Sequence, residues 1–286
     1  MTGSPFALTS RRKPNFRLPE GAVDTHCHVF GPGARFPYAP AYSKAADRPK
    51  ETLAALHAHL GISRAVLVQA AYHGTDNRAM LDAIADDPSN RRGVAIVADD
   101  ISDEELRRLH DGGIRALRYN LVKRFEGLMP MPNGDFLVAM AERIKPFGWH
   151  MVLHLEAADI PSLRRMLDRL PVRFAIDHMA RVETARGTSQ PAFRTLLDFS
   201  SDPRCWIKVS CADRIAKPPY AEAIPFARAL IEANPGRVLW GTDFPHPNVD
   251  HPVDEADLVD LLPSFAPDKS HRSRLLVDNP ATLFGL

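Results

Sequence analysis

Eight short apolar runs recur along this 286-residue chain, and nearly every neighbouring pair is separated by a stretch with helical spacing. The runs fall at 22–30, 65–69, 93–97, 114–120, 151–156, 172–178, 205–210 and 237–243. Several are apolar at consecutive positions, as in Ala65-Val66-Leu67-Val68, the pattern of strands covered on both faces. Between the first two, residues 50–60 place Leu53, Leu56 and Leu60 on one helical face, with Gly61 as the stop. Further helices are expected at 77–85, from Ser102, at 135–145, 160–170, 192–199 and 221–233, and from about 254. Ser102 with Glu105 three positions on reads as a capping box. Strict alternation of apolar strand and helix dictates a parallel sheet. Eight such units at this length fit a single-domain α/β fold, a (β/α)8 barrel of the TIM type. An open doubly wound sheet is the competing architecture, but no Gly-x-Gly-x-x-Gly turn follows any run. Residues 1–20 read as a polar arm and 21–286 as the barrel.

Composition narrows the function. A formal net charge of +1 gives no electrostatic case for nucleic acid or for an anionic membrane, and no apolar run reaches the length of a membrane span. The three cysteines, Cys27, Cys205 and Cys211, form no C-x-x-C pair, which points to reduced thiols and a cytoplasmic setting. Residues 1–19 are polar and basic and carry no secretory apolar segment. A soluble enzyme is expected, as a monomer or small homo-oligomer.

A parallel barrel presents its chemistry at the carboxyl ends of its strands. Polar side chains on apolar strands are costly unless a site needs them. The first run ends in His26-Cys27-His28, where alternation points both imidazoles to one face and turns Cys27 into packing on the other. Later strand ends carry Arg118, His154, His178 and Asp243. Grouped this way, His26, His28, His154, His178 and Asp243 can hold one divalent metal, zinc or manganese. They can equally bind a carbonyl or anionic substrate without metal, with Asp243 activating a water as general base. Arg118, Lys123, Arg124, Arg181 and Arg214 follow the same ends, and guanidinium forks match carboxylates, so a small anionic substrate is expected. His73 and His246 are expected near that substrate, whereas His57, His59 and His110 fall on helices and are expected at the surface. The Gly- and Pro-rich loop 31–40 is long for its place, and Tyr38 and Tyr42 fit either a substrate contact or packing within the loop.

These residues carry a resemblance. The run 23–32, Val-Asp-Thr-His-Cys-His-Val-Phe-Gly-Pro, resembles the opening of the amidohydrolase superfamily, and more narrowly its 2-pyrone-4,6-dicarboxylate lactonase branch. Residues 118–124, Asp177-His178-Met179, Lys208-Val209-Ser210-Cys211, the run 239–248 and Val277-Asp278-Asn279-Pro280 are similar too. The resemblance implies a distorted (β/α)8 barrel that hydrolyses an anionic lactone from the breakdown of aromatic compounds. It implies Asp243 as the base, with His26, His28 and His178 around the lactone carbonyl. Arg118, Arg124, Arg181 and Arg214 would hold the carboxylates. One position departs from the pattern: the dicarboxylate lactonases resemble metal-independent enzymes with a Tyr where this chain has His154. A His there fits a metal ligand, a sulfonate contact in a 4-sulfomuconolactone-type enzyme, or a replacement for the Tyr hydroxyl. A metal-dependent hydrolase or decarboxylase of the same superfamily is therefore the alternative.

Overall fold

The computed structural model describes residues 12–122, 132–247 and 249–286. The eight apolar runs form one sheet of eight strands in sequence order: β1 Val23–Cys27, β2 Arg64–Val68, β3 Arg91–Ala95, β4 Ile114–Asn120, β5 His150–His154, β6 Phe174–Ile176, β7 Cys205–Lys208 and β8 Val238–Leu239. Every adjacent pair from β1 to β8 is parallel. Past β8 the chain closes the ring on β1: Thr25 N donates to Trp240 O (3.0 Å), and Asp243 N donates to His26 O (2.7 Å). Gly241 makes that seam possible, since a Cβ there would sit 2.4 Å from His26 N. The barrel expectation is met.

Helices connect the strands: α1 Lys50–Leu60, α2 Arg78–Ala85, α3 Asp103–Asp111, α4 Gly134–Ile144, α5 Ile160–Arg169, α6 Pro191–Phe199, the one-turn α7 Ala212–Ile215, and α8 Ile224–Ala233. Short helices α9 Glu255–Asp260, α10 Leu262–Phe265, α11 Lys269–Ser273 and α12 Asn279–Phe284 finish the chain. Period-2 alternation sorts the strand residues into two cores. Val66, Val94, Ala116, Val152, Ala175, Trp206 and Leu239 fill the barrel, and Leu283 and Phe284 of α12 plug its lower end. Their neighbours Leu67, Leu117, Leu153, Ile176 and Ile207 pack outward beneath the helices. His150 sits in the plug layer, fully buried with its ring 4.9 Å from that of Phe284. Neither of its ring nitrogens has a hydrogen-bond partner among the described residues.

Two local expectations are corrected. Ser102 caps α3 by accepting from Glu105 N (3.1 Å), but the Glu105 carboxylate pairs with Arg108 one turn on and does not return to Ser102. His57 is buried against the barrel and donates to Asp24 (3.2 Å); it lies four residues after Leu53, on the inward face of α1. The described part of the arm lies on α9, held by Arg12 to Asp257 (2.5 Å) and Asp260 (2.7 Å).

Candidate active site

The columns that are apolar inside the barrel become polar one layer higher. Two residues beyond Ala116 stands Arg118, beyond Val152 His154, beyond Ala175 Asp177, and beyond Trp206 Lys208. His26 and His28 share the interior face, their rings edge to face at 5.0 Å, and Cys27 packs outward. Asp24 fixes this segment by accepting from His26 N (3.0 Å), Thr242 N (3.0 Å) and Thr242 Oγ1 (2.6 Å), which ties the histidine pair to the chain after β8.

Asp243 is the focus. One carboxylate oxygen, Oδ2, accepts from Arg214 Nε (3.0 Å) and Nη2 (2.5 Å). The other, Oδ1, faces three imidazole Nε2 atoms: His28 at 3.2 Å, His26 at 3.5 Å and His178 at 3.8 Å. Second partners orient two of the rings. His28 Nδ1–H donates to Val68 O (2.7 Å), and His178 Nδ1 lies 2.9 Å from Ser210 Oγ. The Nε2 atoms of His26 and His178 have no hydrogen-bond partner among the described residues. Backbone strain marks the same spot: Asp243 (φ 61°) and His178 (φ 57°) are left-handed, a conformation that costs a non-glycine residue about 1–2 kcal/mol. Among the described residues, His26, His28 and Asp243 form one group close enough to hold a cation, and His26, Asp177 and His178 another.

A second buried network supports the first. Asp177 pairs through Oδ2 with Arg118 (3.2 Å), and its Oδ1 lies 3.2 Å from Lys208 Nζ and 3.3 Å from His26 Nδ1. Lys208 Nζ is also 3.0 Å from His26 Nδ1. Arg118 reaches Gln69 O (3.2 Å) and opens onto a pocket with Tyr42, Asn120, His154 and Arg214. Asp24, Asp177 and Lys208 were not singled out as site residues from the sequence. A signal for Lys208 was present: it stands two places after Trp206 in a buried run.

The structure separates the remaining sequence candidates. His154 lines the pocket, with its ring 5.5 Å from that of His178. It joins no cation-holding group among the described residues. His246 is engaged at both ring nitrogens, by Asp213 (3.1 Å) and Glu255 (3.2 Å), and so clamps the 246–255 segment. His73 is likewise used within the loop, accepting from Gly31 N (3.0 Å) and donating to Pro37 O (3.0 Å). Tyr38 donates to Asp47 (2.7 Å) and stacks on His73, whereas Tyr42 reaches the pocket and stacks on Tyr72. Arg181 stands 3.8 Å from Glu156. Lys123 and Arg124 lie outside the described residues.

The charges follow from this packing. Burial alone would raise the Asp243 carboxyl, but Arg214 and the surrounding rings outweigh it and hold the group well below the ordinary carboxylate range. Burial on Asp177 is outweighed in the same way by Lys208, His26 and Arg118. Burial, then the Lys208 charge, pushes His26 from 6.5 down to about 3. Burial first also pushes His150, His154 and His178 well down, helped next by Arg173 at His150, by Arg118 at His154 and by the His26 ring at His178. Burial pulls Lys208 below its ordinary value, with Asp177 opposing. The four rings bind protons less readily folded than unfolded. Stability is therefore complete above the unfolded value near 6.5 and declines as the pH falls below it. The slope grows toward roughly 1.4 kcal/mol per pH unit for each ring. Urea midpoints measured from pH 7.5 to 4.5 test this. An unchanged midpoint would place the rings elsewhere.

The family model for amidohydrolases matches residues 23–286. The chain belongs to that amidohydrolase family. It is 45% identical to the "2-pyrone-4,6-dicarbaxylate hydrolase" of Comamonas testosteroni, over 95% of this chain and 92% of that one. It is 38% identical to the 4-sulfomuconolactone hydrolase of Rhizobium radiobacter, over 95% and 92% respectively. A solved structure of a candidate 2-pyrone-4,6-dicarboxylic acid hydrolase from Pseudomonas putida superposes with a TM-score of 0.81 at 34% identity, covering 94% of this chain and 98% of that one. No helix among the described residues is long and apolar enough to cross a membrane.

Proposed function

We propose that this amidohydrolase opens an anionic lactone, 2-pyrone-4,6-dicarboxylate or a related muconolactone, by attack of an Asp243-activated water on the lactone carbonyl. The observation that carries this reading is the convergence of three imidazole Nε2 atoms on one buried, ionised carboxylate, beside a pocket walled by Arg118 and Arg214. A lactone hydrolase needs a base for water, donors for the charge that develops on the carbonyl oxygen, and cations for the substrate's anionic groups. Asp243 Oδ1 takes a proton as the water oxygen bonds to the carbonyl carbon. His26 and His178, with unused Nε2 atoms, are placed to steady the oxyanion. Collapse breaks the ring C–O bond, and the proton on Asp243 passes to the departing oxygen, leaving a new carboxylic acid. Arg214 contacts both Asp243 and the pocket, so it aligns the base while meeting the substrate anion. The basic pocket supports a small anionic substrate, in keeping with the substrates named for both relatives. Arg124 and Arg181 are proposed as further anion contacts, and His154 as a substrate contact in place of a tyrosine hydroxyl. A cytoplasmic enzyme is the reading that its buried free thiols favour.

The same donor set suits a divalent ion. Zinc ligands in a tetrahedral shell stand roughly 3.3 Å apart, from bond lengths of about 2.0–2.1 Å. The separations of Asp243 Oδ1 from His28, His26 and His178 Nε2, 3.2, 3.5 and 3.8 Å, bracket that figure. His26, His28 and Asp243 are the group that would hold zinc or manganese, which when bound would polarise a carbonyl and acidify water.

Steady-state hydrolysis by Arg118→Met tests the anion clamp. The account expects kcat/KM to fall roughly 10- to 150-fold, the equivalent of one or two charge-assisted hydrogen bonds. Most of the loss should lie in KM. An unchanged KM would remove Arg118 from the clamp.

A further inference from the structure

Lys208 closes β7 inside the barrel with no exposed surface, and its Nζ sits 3.0 Å from His26 Nδ1 and 3.2 Å from Asp177 Oδ1. A cation so placed is costly unless it is paired, and Asp177 supplies the pairing. Its contact with His26 has a consequence for that ring. A neutral imidazole has one N–H and one lone pair, whereas an ammonium has donors and no acceptor. An ammonium on Nδ1 therefore makes Nδ1 the lone-pair nitrogen and places the ring proton on Nε2. That proton points toward Asp243, whose Oδ1 is 3.5 Å away.

A metal ion would need the opposite tautomer, with the lone pair on Nε2 and the Nδ1–H donated to a carboxylate. The carboxylate is present, since Asp177 Oδ1 lies 3.3 Å from Nδ1, but Lys208 competes for the same nitrogen. His28 shows the contrast. Its Nδ1–H goes to the Val68 carbonyl (2.7 Å), and its Nε2 faces Asp243 Oδ1 (3.2 Å). The two histidines of one strand thus meet partners of opposite kind at Nδ1, a carbonyl acceptor for His28 and an ammonium donor for His26.

We propose that Lys208 is a positioning residue that sets His26 as an Nε2–H donor, committing that ring to hydrogen bonding and disfavouring its use as a metal ligand. The proposal deepens the lactone reading, resting on it only for where the donated proton is used. Its test does not depend on turnover. Long-range proton–nitrogen NMR of the full-length protein, with the His26 signals assigned by their loss in His26→Gln, reads the tautomer directly. Calorimetric titration with Zn2+ reads metal affinity. In the wild-type protein His26 carries its proton on Nε2. Lys208→Met moves the proton to Nδ1 and strengthens Zn2+ binding roughly 10- to 100-fold, the usual size of an effect from the partners behind a metal ligand. Lys208→Arg, which keeps the donors, retains the wild-type tautomer and affinity.

A His26 proton on Nδ1 in the wild-type protein overturns the proposal. So does equal Zn2+ affinity in wild-type and Lys208→Met. If Lys208→Met does not fold, the wild-type tautomer alone decides. Absence of lactone turnover would instead count against the proposed reaction and leave these readouts standing.

Discussion

Asp243→Asn lowers kcat for lactone opening by about 10³-fold or more, within the range by which a positioned general base accelerates proton transfer. The amide keeps the shape of the side chain but cannot take a proton from water. It also leaves the Arg214 guanidinium, 7% exposed and bonded to Oδ2 through two of its nitrogens, without a counter-charge. Breaking a buried pair on one side destabilises by about 3–5 kcal/mol, so the variant unfolds earlier as well. Removing both partners, in Asp243→Asn with Arg214→Gln, recovers much of the stability and none of the turnover. Paired kinetics and urea unfolding on the two variants separate the roles. Turnover retained in Asp243→Asn would show that another group is the base.

Asp177→Ala lowers stability by about 3–5 kcal/mol, because it leaves charges buried without their partner. Its carboxylate holds Arg118 on one oxygen and Lys208 on the other, at 3.2 Å each. Chemical unfolding of the variant measures the loss, with failure to accumulate as folded protein as its extreme form. A loss under about 1 kcal/mol, the level of an exposed ion pair, would mean the network is wet and loosely held.

Much of this architecture was legible in the chain. The strands had to be parallel and doubly covered because their apolar residues run consecutively, and the helices show their own spacing and stops. His26 and His28 share a face because side chains alternate along a strand, and Asp243 and Arg118 were located by their place at strand ends. His57 was misread although the signal existed, since it lies one helical turn after Leu53 and thus on the buried face. Lys208 and Asp177 were overlooked because a strand-end cation and anion look independent in sequence; only the closed barrel brings residues 177, 208 and 26 together. His246 could not be placed at all by pattern. Its partners Asp213 and Glu255 come from other segments, and nothing local distinguishes a clamped histidine from one that meets substrate. His73 was hidden in the same way, by loop carbonyl and amide groups that no residue type announces.

The most direct measurement is hydrolysis of 2-pyrone-4,6-dicarboxylate and 4-sulfomuconolactone by the purified wild-type protein, each followed by appearance of the ring-opened acid. The account predicts catalytic opening of at least one of these anionic rings, with inhibition by its ring-opened product. Failure to open either, with the protein folded and its histidine network intact by NMR, would contradict the assignment of this site to anionic lactones.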